Sequence, residues 1–431
     1  MNRSLYSLLW WLALPLVLGR LWWRGRKEPG YRRHIGERLG FYGARLPARR
    51  TFMVHAVSVG ETRAAEPLVE ALLARWPDCR ILLTHMTPTG RATGAALFGK
   101  HGERVVQSFL PYDTGFMVRR FLRHFRPRVC ILMETEVWPN LIAGCAREKV
   151  PVALVNARLS ERSLRRGQRF GGIMMDAARA ITTVAAQTDD DAQRIRSLGA
   201  PQVAVTGSIK FDVLPPEAAL AKGAWLRARI GARPTFLCAS TRDGEEELIL
   251  DAWGRLAGKP AHALLAIVPR HPQRFDEVAQ LVAARGLSLQ RRSQLMDTPA
   301  GTTADTAGVD ADVLLGDSMG EMFAYYAACD CAFIGGSLLP LGGQNLIEAC
   351  ALGKPVLVGE HTFNFLDATN EAVAAGGAVR VADADALVAQ AAYLLRDAGA
   401  RAAMGSQAAT WAGRHRGATL RTVELLQRII A

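Results

Sequence analysis

The sequence predicts an α/β protein made of two parallel-sheet domains, preceded by an apolar helix. Three observations predict it. The chain has 431 residues and 49% of them are apolar, which suits two cores of roughly 200 residues better than one. Strand-like apolar runs alternate with helical runs along most of the chain, the pattern of a parallel sheet covered on both faces. That rhythm breaks at Phe211-Asp212-Val213-Leu214-Pro215-Pro216, reads there as a linker, and then restarts.

The first element is the apolar helix. Residues 4–19 are sixteen uncharged, mostly apolar residues with Trp10, Trp11 and Pro15 among them. Arg20, Trp22, Trp23, Arg24, Arg26, Lys27, Arg32 and Arg33 follow. A full membrane span wants about 20 apolar residues, and residues 21–23 extend the run past one arginine able to snorkel. A signal peptide fits poorly, because the charge follows the apolar run and no small-residue cleavage site comes after it. Tryptophans beside basic residues suit a membrane interface, and the positive-inside rule places everything after Arg20 in the cytoplasm. Residues 1–24 are therefore expected to be a membrane anchor helix, spanning or merely inserting, on which no βα unit depends.

In the first half, strands are expected at residues 52–57, 80–84, 105–109, 129–133, 152–156, 181–186 and 203–206. Helices are expected at 64–76, 89–98, 114–124, 171–180 and 189–198. After the linker, strands follow at 235–239, 263–268, near Leu287 and Val313, and at 331–334 and 355–358. Helices are expected at 245–256, 275–285, 346–352 and 419–430, and a surface loop at 296–310. The domains are then 25–212 and 213–405, with a C-terminal helical segment, 406–431, free to return to the first half. Two Rossmann-like domains facing one cleft are the implied architecture. Ligands of such sheets sit outside the carboxyl ends of the strands, so the loops after strands are where chemistry belongs.

Composition narrows the ligand. A net charge of +13 points to an anionic partner: nucleic acid, a phospholipid surface or a phosphorylated substrate. The seven cysteines are scattered without a CxxC pair, as buried thiols of a reducing compartment would be.

The loops after strands carry the chemistry. Residues 335–348, Gly-Gly-Ser-Leu-Leu-Pro-Leu-Gly-Gly-Gln-Asn-Leu-Ile-Glu, join a strand to a helix. Glycines let a backbone approach a phosphate, and free N–H groups of a first helical turn point at it. Glu348, one turn in, is placed for sugar hydroxyls. The loop is neither a Walker loop nor a GxGxxG fingerprint, and a plain Gly-rich turn is the alternative. Glu61 opens a helix after the first strand, as a helix-dipole residue or as a general base. Glu134 and Glu136 follow the fourth strand beside Trp138, and Lys210 follows the seventh. Arg270-His271, bracketed by Pro269 and Pro272, suits a phosphate or carboxylate, or else is a rigid turn. Residues 316–321, Gly-Asp-Ser-Met-Gly-Glu, open a further helix. No metal-ligand spacing accompanies these loops, so a metal-free site binding one phosphate is the simplest assembly.

Residues 55–62, 86–90, 110–113, 133–140, 156–160, 207–212, 268–272, 316–321 and 335–348 together resemble, in order, the 3-deoxy-D-manno-octulosonic acid (Kdo) transferases. The resemblance implies a GT-B glycosyltransferase without a cofactor on the cytoplasmic face of the inner membrane. It implies transfer of Kdo from CMP-Kdo to a phosphorylated lipid A precursor in lipopolysaccharide synthesis. Carried over by motif, Glu61 is the proton acceptor, while Glu134 and Lys210 stabilise the transition state. Pro269, Arg270, Met319, Gly320, Glu321, Asn345, Leu346, Ile347 and Glu348 hold CMP, and no residue holds a metal. The family commonly reads Gly-Gly-His-Asn-Pro-Leu-Glu in the last motif, where this chain has Gln344 and Leu346-Ile347. One carboxylate base and no second nucleophile imply a single inverting displacement. Two other readings account for less: a GT-B enzyme using a UDP-sugar, and a non-enzymatic basic protein binding anionic lipid or nucleic acid. Nucleic acid is not an expected partner.

Overall fold

The computed structural model describes residues 2–45, 47–169, 171–213, 215–295 and 308–430. The loop expected at 296–310 lies, apart from its last three positions, outside the described residues. The chain divides into two compact units, Met1–Val213 with His415–Ala431, and Leu214–Arg414.

Unit 1 holds seven strands, β1 (Thr51–His55), β2 (Arg80–His85), β3 (Val105–Phe109), β4 (Val129–Met133), β5 (Val152–Ala157), β6 (Thr183–Ala186) and β7 (Val203–Val205). They form one sheet in the order β3-β2-β1-β4-β5-β6-β7, every pair parallel. Alternate side chains enter two cores, because successive residues of a strand point to opposite faces. Phe52, Val54, Ile81 and Ile131 pack with Leu68, Leu72 and Leu426 on one side. Met53, Leu82, Cys130 and Leu132 pack with Val118, Phe121 and Leu141 on the other. Both faces being covered, the central strands read as unbroken apolar runs. Strand order reverses between β1 and β4, a switch point that opens a crevice at their carboxyl ends.

Several local outcomes differ from expectation, an unforeseen helix at Glu161–Arg169 among them. The helix expected at 64–76 is two, Val59–Ala64 and Glu66–Arg75, the second restarting with Pro67 in its first turn, where the missing N–H costs nothing. A helix at Pro139–Arg147 was unforeseen; the buried Asp113 carboxylate caps it, accepting the N–H groups of Asn140 (2.9 Å) and Leu141 (2.8 Å). Phe211 and Asp212, expected in the linker, belong to a 3₁₀ turn, Ile209–Asp212, inside unit 1.

The apolar helix, Arg3–Arg24, is not separable as expected. Trp10 stacks on Tyr112 with centroids 5.6 Å apart. Leu14, Val17, Leu18 and Leu21 pack against Tyr31, Tyr112 and Met117, and Asn140 Nδ2 donates to Ser7 Oγ at 3.0 Å. The opposite side leaves Leu5, Leu8, Leu9, Trp11, Leu12 and Leu16 exposed. At 22 residues the helix is long and apolar enough to cross a membrane.

Unit 2 holds β8 (Thr235–Thr241), β9 (Leu264–Pro269), β10 (Leu289–Arg291), β11 (Val313–Leu315), β12 (Cys331–Ile334), β13 (Val356–Val358) and β14 (Ala378–Arg380). Their order is β10-β11-β9-β8-β12-β13-β14, again all parallel, with the switch point between β8 and β12. Phe236, Cys238, Ile267, Phe333 and Leu357 build its core with Ile249, Trp253 and Leu387. The edge strand β14 and the helix Ala384–Arg396 were not anticipated, and the helical segment expected at 406–431 is two helices, Ala398–Arg414 and Ala418–Ile430. Ala398–Arg414 stays in unit 2, whereas Ala418–Ile430 packs in unit 1. All seven cysteines are free and buried.

Candidate functional site

In unit 1 the predicted catalytic residues meet at the carboxyl ends of β1 and β4. β1 runs into Ser58, the N-cap of helix Val59–Ala64. Glu61 reaches back as the partner in a capping-box-like arrangement: Oε2 accepts the Val57 N–H at 2.8 Å and Oε1 the Ser58 hydroxyl at 3.1 Å. The capping role and the expected proton-acceptor role thus fall on one carboxylate. Burial raises the Glu61 pKa most; Glu134 adds to the rise, and the Val57 N–H, Ser58 and Lys210 oppose it, leaving it above the ordinary value. A carboxylate so placed is a better proton acceptor than a solvated one.

β4 ends at Met133, and Glu134 then takes a left-handed φ of 56° while its N–H donates to Val155 O at 2.9 Å. A non-glycine residue in that region is strained by about 1–3 kcal/mol, a strain that concentrates at functional sites. Glu134 Oε1 pairs with Lys210 Nζ at 2.8 Å. Lys210 is held through its neighbours. Ile209 N–H donates to Asn156 Oδ1 (3.1 Å), Phe211 stacks on His415 (4.7 Å), and the Asp212 carboxylate accepts the N–H groups of Gly417 and Thr419.

Glu136 joins them. Trp138 Nε1 donates to its Oε2 at 2.8 Å. Burial, then Glu61, push its carboxyl up to about 7, with Glu134 adding and the Trp138 hydrogen bond opposing. His55 and His85 lie buried at the ends of β1 and β2. Burial holds them at about 3 and about 4, so both are neutral scaffold at neutral pH.

In unit 2 the predicted nucleotide-binding residues also follow strand ends. Pro269 closes β9, and the Arg270 N–H donates to Thr241 O at 2.9 Å, tying this loop to the end of β8. Burial, then Arg242, Arg270 and Arg274, depress the His271 pKa, the signature of a cationic surface. Met319 is exposed, and Gly320 has a φ of 81° with open space where a Cβ would stand. The Glu321 carboxylate, by contrast, is committed within the unit, pairing with Lys222 and with Arg292 (3.2 Å) and accepting from Ser318 Oγ (2.6 Å). This segment therefore offers a ligand backbone and Met319. Asn345 Nδ2 donates to Glu348 Oε1 at 3.1 Å while Asn345 Oδ1 accepts the Ile347 N–H at 3.0 Å. Leu346 and Ile347 are buried, so only their backbone is available. The helix they open, Ile347–Ala351, is a single turn.

The glycine-rich loop departs from its expected role at its first amides. Gly335 is required by a close approach: a Cβ there would lie 2.4 Å from Ser240 O. The N–H groups of Gly336 and Leu338 are already taken, by the Glu245 carboxylate.

A family model described as 3-deoxy-D-manno-octulosonic-acid transferase (kdotransferase) matches residues 33–213. A 3-deoxy-D-manno-octulosonic acid transferase of Bordetella pertussis is 47% identical over 436 aligned residues, covering 99% of each chain. The chain belongs to the Kdo transferase family. A Haemophilus influenzae transferase of the same description is 37% identical, over 99% of this chain and 98% of its own. The Neisseria meningitidis UDP-GlcNAc 2-epimerase structure superposes with a TM-score of 0.59 at 17% identity, over 88% of this chain and 100% of its own. At that identity the likeness speaks for the fold, which is of the GT-B class.

Two features of this Kdo transferase escaped the sequence reading. Glu136 was visible beside Trp138 but had no assigned role; the indole two positions on was its signal. Glu245 and Glu246 begin the helix after β8 without any role expected of them, yet both are fully buried. Among the described residues no group of three His, Cys, Asp or Glu side chains is placed to hold a metal ion.

Proposed function

We propose that this Kdo transferase moves Kdo from CMP-Kdo to the hydroxyl of a phosphorylated lipid A precursor in one inverting displacement. The observation that carries the reading is the pairing of Glu134 with Lys210 at 2.8 Å beside Glu61. The acceptor oxygen attacks the anomeric carbon, its proton passes to Glu61, and the bond to the CMP phosphate breaks with CMP departing as an anion. Lys210 supplies positive charge against the charge developing in the transition state, and Glu134 holds the ammonium in place. Arg270, the backbone at residues 319–321, and Asn345 with Glu348 take the CMP moiety. Cations and amides suffice for one phosphate monoester, so no metal is required of these residues.

The acceptor is a membrane lipid, and the anchor helix supports a location on the inner membrane, on its cytoplasmic face. A helix with one side packed on unit 1 and the other lined by exposed leucines is suited to lie in the interface plane, apolar side down, instead of crossing. The test is to incubate the full-length protein with CMP-Kdo and a tetraacyl lipid A precursor and to read product mass. A Kdo mass increment is expected; product from a UDP-sugar and none from CMP-Kdo would overturn the reading.

A further inference from the structure

The Gly335 loop is a glycine-rich turn between a strand and a helix, yet its leading amides are closed to any ligand. Glu245 Oε2 accepts the Gly336 N–H at 2.6 Å and Oε1 the Leu338 N–H at 3.0 Å. Oε2 also accepts the Arg242 N–H at 2.9 Å, which fastens the side chain to its own helix start. Glu245 has no exposed surface. The neighbouring groups are equally spoken for. The Gly335 N–H donates to Ala239 O (2.8 Å), and Ser337 Oγ donates to Ile334 O and accepts the Gly359 N–H (2.9 Å). One carboxylate thus joins the loops after β8 and β12, the two strands that flank the switch point of unit 2.

We propose that Glu245 permanently fills the amide nest at Gly336 and Leu338, and so is the positioning residue that presets the donor-binding loop. The inference rests on the reading of unit 2 as the CMP-sugar site. A buried carboxylate persists only when its oxygens are satisfied, and backbone N–H groups are what satisfy it here. Burial raises the Glu245 pKa and the N–H groups of Gly336, Arg242, Leu338 and Ser337 oppose that rise. A negative charge beneath those amides also bars a phosphate from them. The donor phosphate is therefore left to the cationic surface around Arg242 and Arg270 and to the backbone further along the loop. Glu246 is the natural comparison. It is just as buried on the same helix, but it accepts from Thr241 Oγ1 (2.9 Å) and pairs with Arg274 (3.2 Å), away from the loop.

Hydrogen exchange on the wild-type protein, with and without CMP, tests the occupancy directly. The Gly336 and Leu338 amides should be protected before CMP is added and gain nothing from it. Exchange that is free until CMP arrives would overturn the proposal, because the nucleotide would then be what fills the nest. For positioning, Glu245→Gln should raise the CMP-sugar KM and the CMP Kd about tenfold or more, with kcat within a few-fold. Glu246→Gln should lower the melting temperature comparably while leaving donor binding in place. Equal donor affinity in the two variants would make Glu245 merely structural and defeat the inference. A wild type that binds no CMP would sink the donor-site reading and this inference with it, whereas normal CMP binding with freely exchanging amides sinks the inference alone.

Discussion

Lys210 Nζ stands 2.8 Å from Glu134 Oε1, although the two residues follow strands that are not neighbours. β5 and β6 lie between β4 and β7, and three strand spacings are about 14 Å, farther than a lysine reaches. The turn Ile209–Asp212 bridges that gap. It is drawn over the end of β5, where Asn156, itself left-handed at a φ of 51°, accepts the Ile209 N–H. The ion pair is therefore a product of backbone routing, and its two partners should be separable by mutation.

Glu61→Gln should lower turnover by about 10²-fold or more while leaving CMP affinity near the wild-type value, as loss of a positioned base does. Single-turnover kinetics beside calorimetric titration with CMP would read both quantities. Near-normal turnover would remove Glu61 from the chemistry.

Glu134→Gly should separate stability from activity. Glycine relieves a left-handed backbone worth about 1–3 kcal/mol, and the lost ion pair is partly exposed and worth about 0–1 kcal/mol. The melting temperature should hold or rise while turnover falls. A marked loss of stability would mean that the Glu134 side chain holds the loop together.

Glu136 should leave a signature in pH. Its carboxyl is raised from 4.5 to about 7 in the folded protein. Between those values the folded state holds a proton that the unfolded chain has released. Its contribution to stability is then greatest at the acid end, falls as pH rises through the window, and is level above it. Melting curves across that range should differ in slope between wild type and Glu136→Gln. Parallel profiles would show that Glu136 does not titrate there.

Much of this was legible in the residues, and the failures have physical causes. β1 to β6 were placed within a few positions because strands buried on both faces announce themselves as apolar runs. The short edge strand β14 carries no such signal, and the alanine-rich segments before and after residue 398 hide their apolar stripe. Glu61, Glu134 and Lys210 stand out in the sequence because each follows a strand, and their expected roles come from the family resemblance. The occupant of the Gly336 amides does not stand out, because Glu245 lies 91 positions away in sequence. A local motif advertises donors without disclosing what a distant segment has already placed on them.

The apolar helix Arg3–Arg24 should respond differently to deletion and to substitution. Removing residues 1–23 strips the cover from Tyr112 and Met117 and should lower the melting temperature, since each such apolar side chain contributes about 1.5–3 kcal/mol. The triple variant Leu9→Glu, Leu12→Glu, Leu16→Glu alters only the exposed side and should release the protein from anionic vesicles with its melting temperature retained. Flotation and differential scanning calorimetry would check the pair. Continued vesicle binding by the triple variant would assign docking to the basic residues instead.

Glu348→Ala and Asn345→Ala should each weaken CMP binding by about 1.5–3 kcal/mol, roughly tenfold to more than a hundredfold, as for one charge-assisted hydrogen bond. Gln344→His should be tolerated, its side chain lying beside the left-handed Gly336 without a role in the Asn345–Glu348 pair. Unchanged affinity in Glu348→Ala, with intact circular dichroism, would place the nucleotide elsewhere.

The discontinuity of unit 1 sets an order of events during synthesis. Domains fold as units, the earlier-made part first. Yet the partners that grip the Lys210 turn, His415, Gly417 and Thr419, are made only after the whole of Leu214–Arg414. Unit 2 is contiguous and can finish while unit 1 still waits for its last helix. A chain stalled before residue 415 would present unit 2, the proposed donor domain, already folded and Lys210 not yet seated, so nascent protein is expected to bind a CMP-sugar before it can use one.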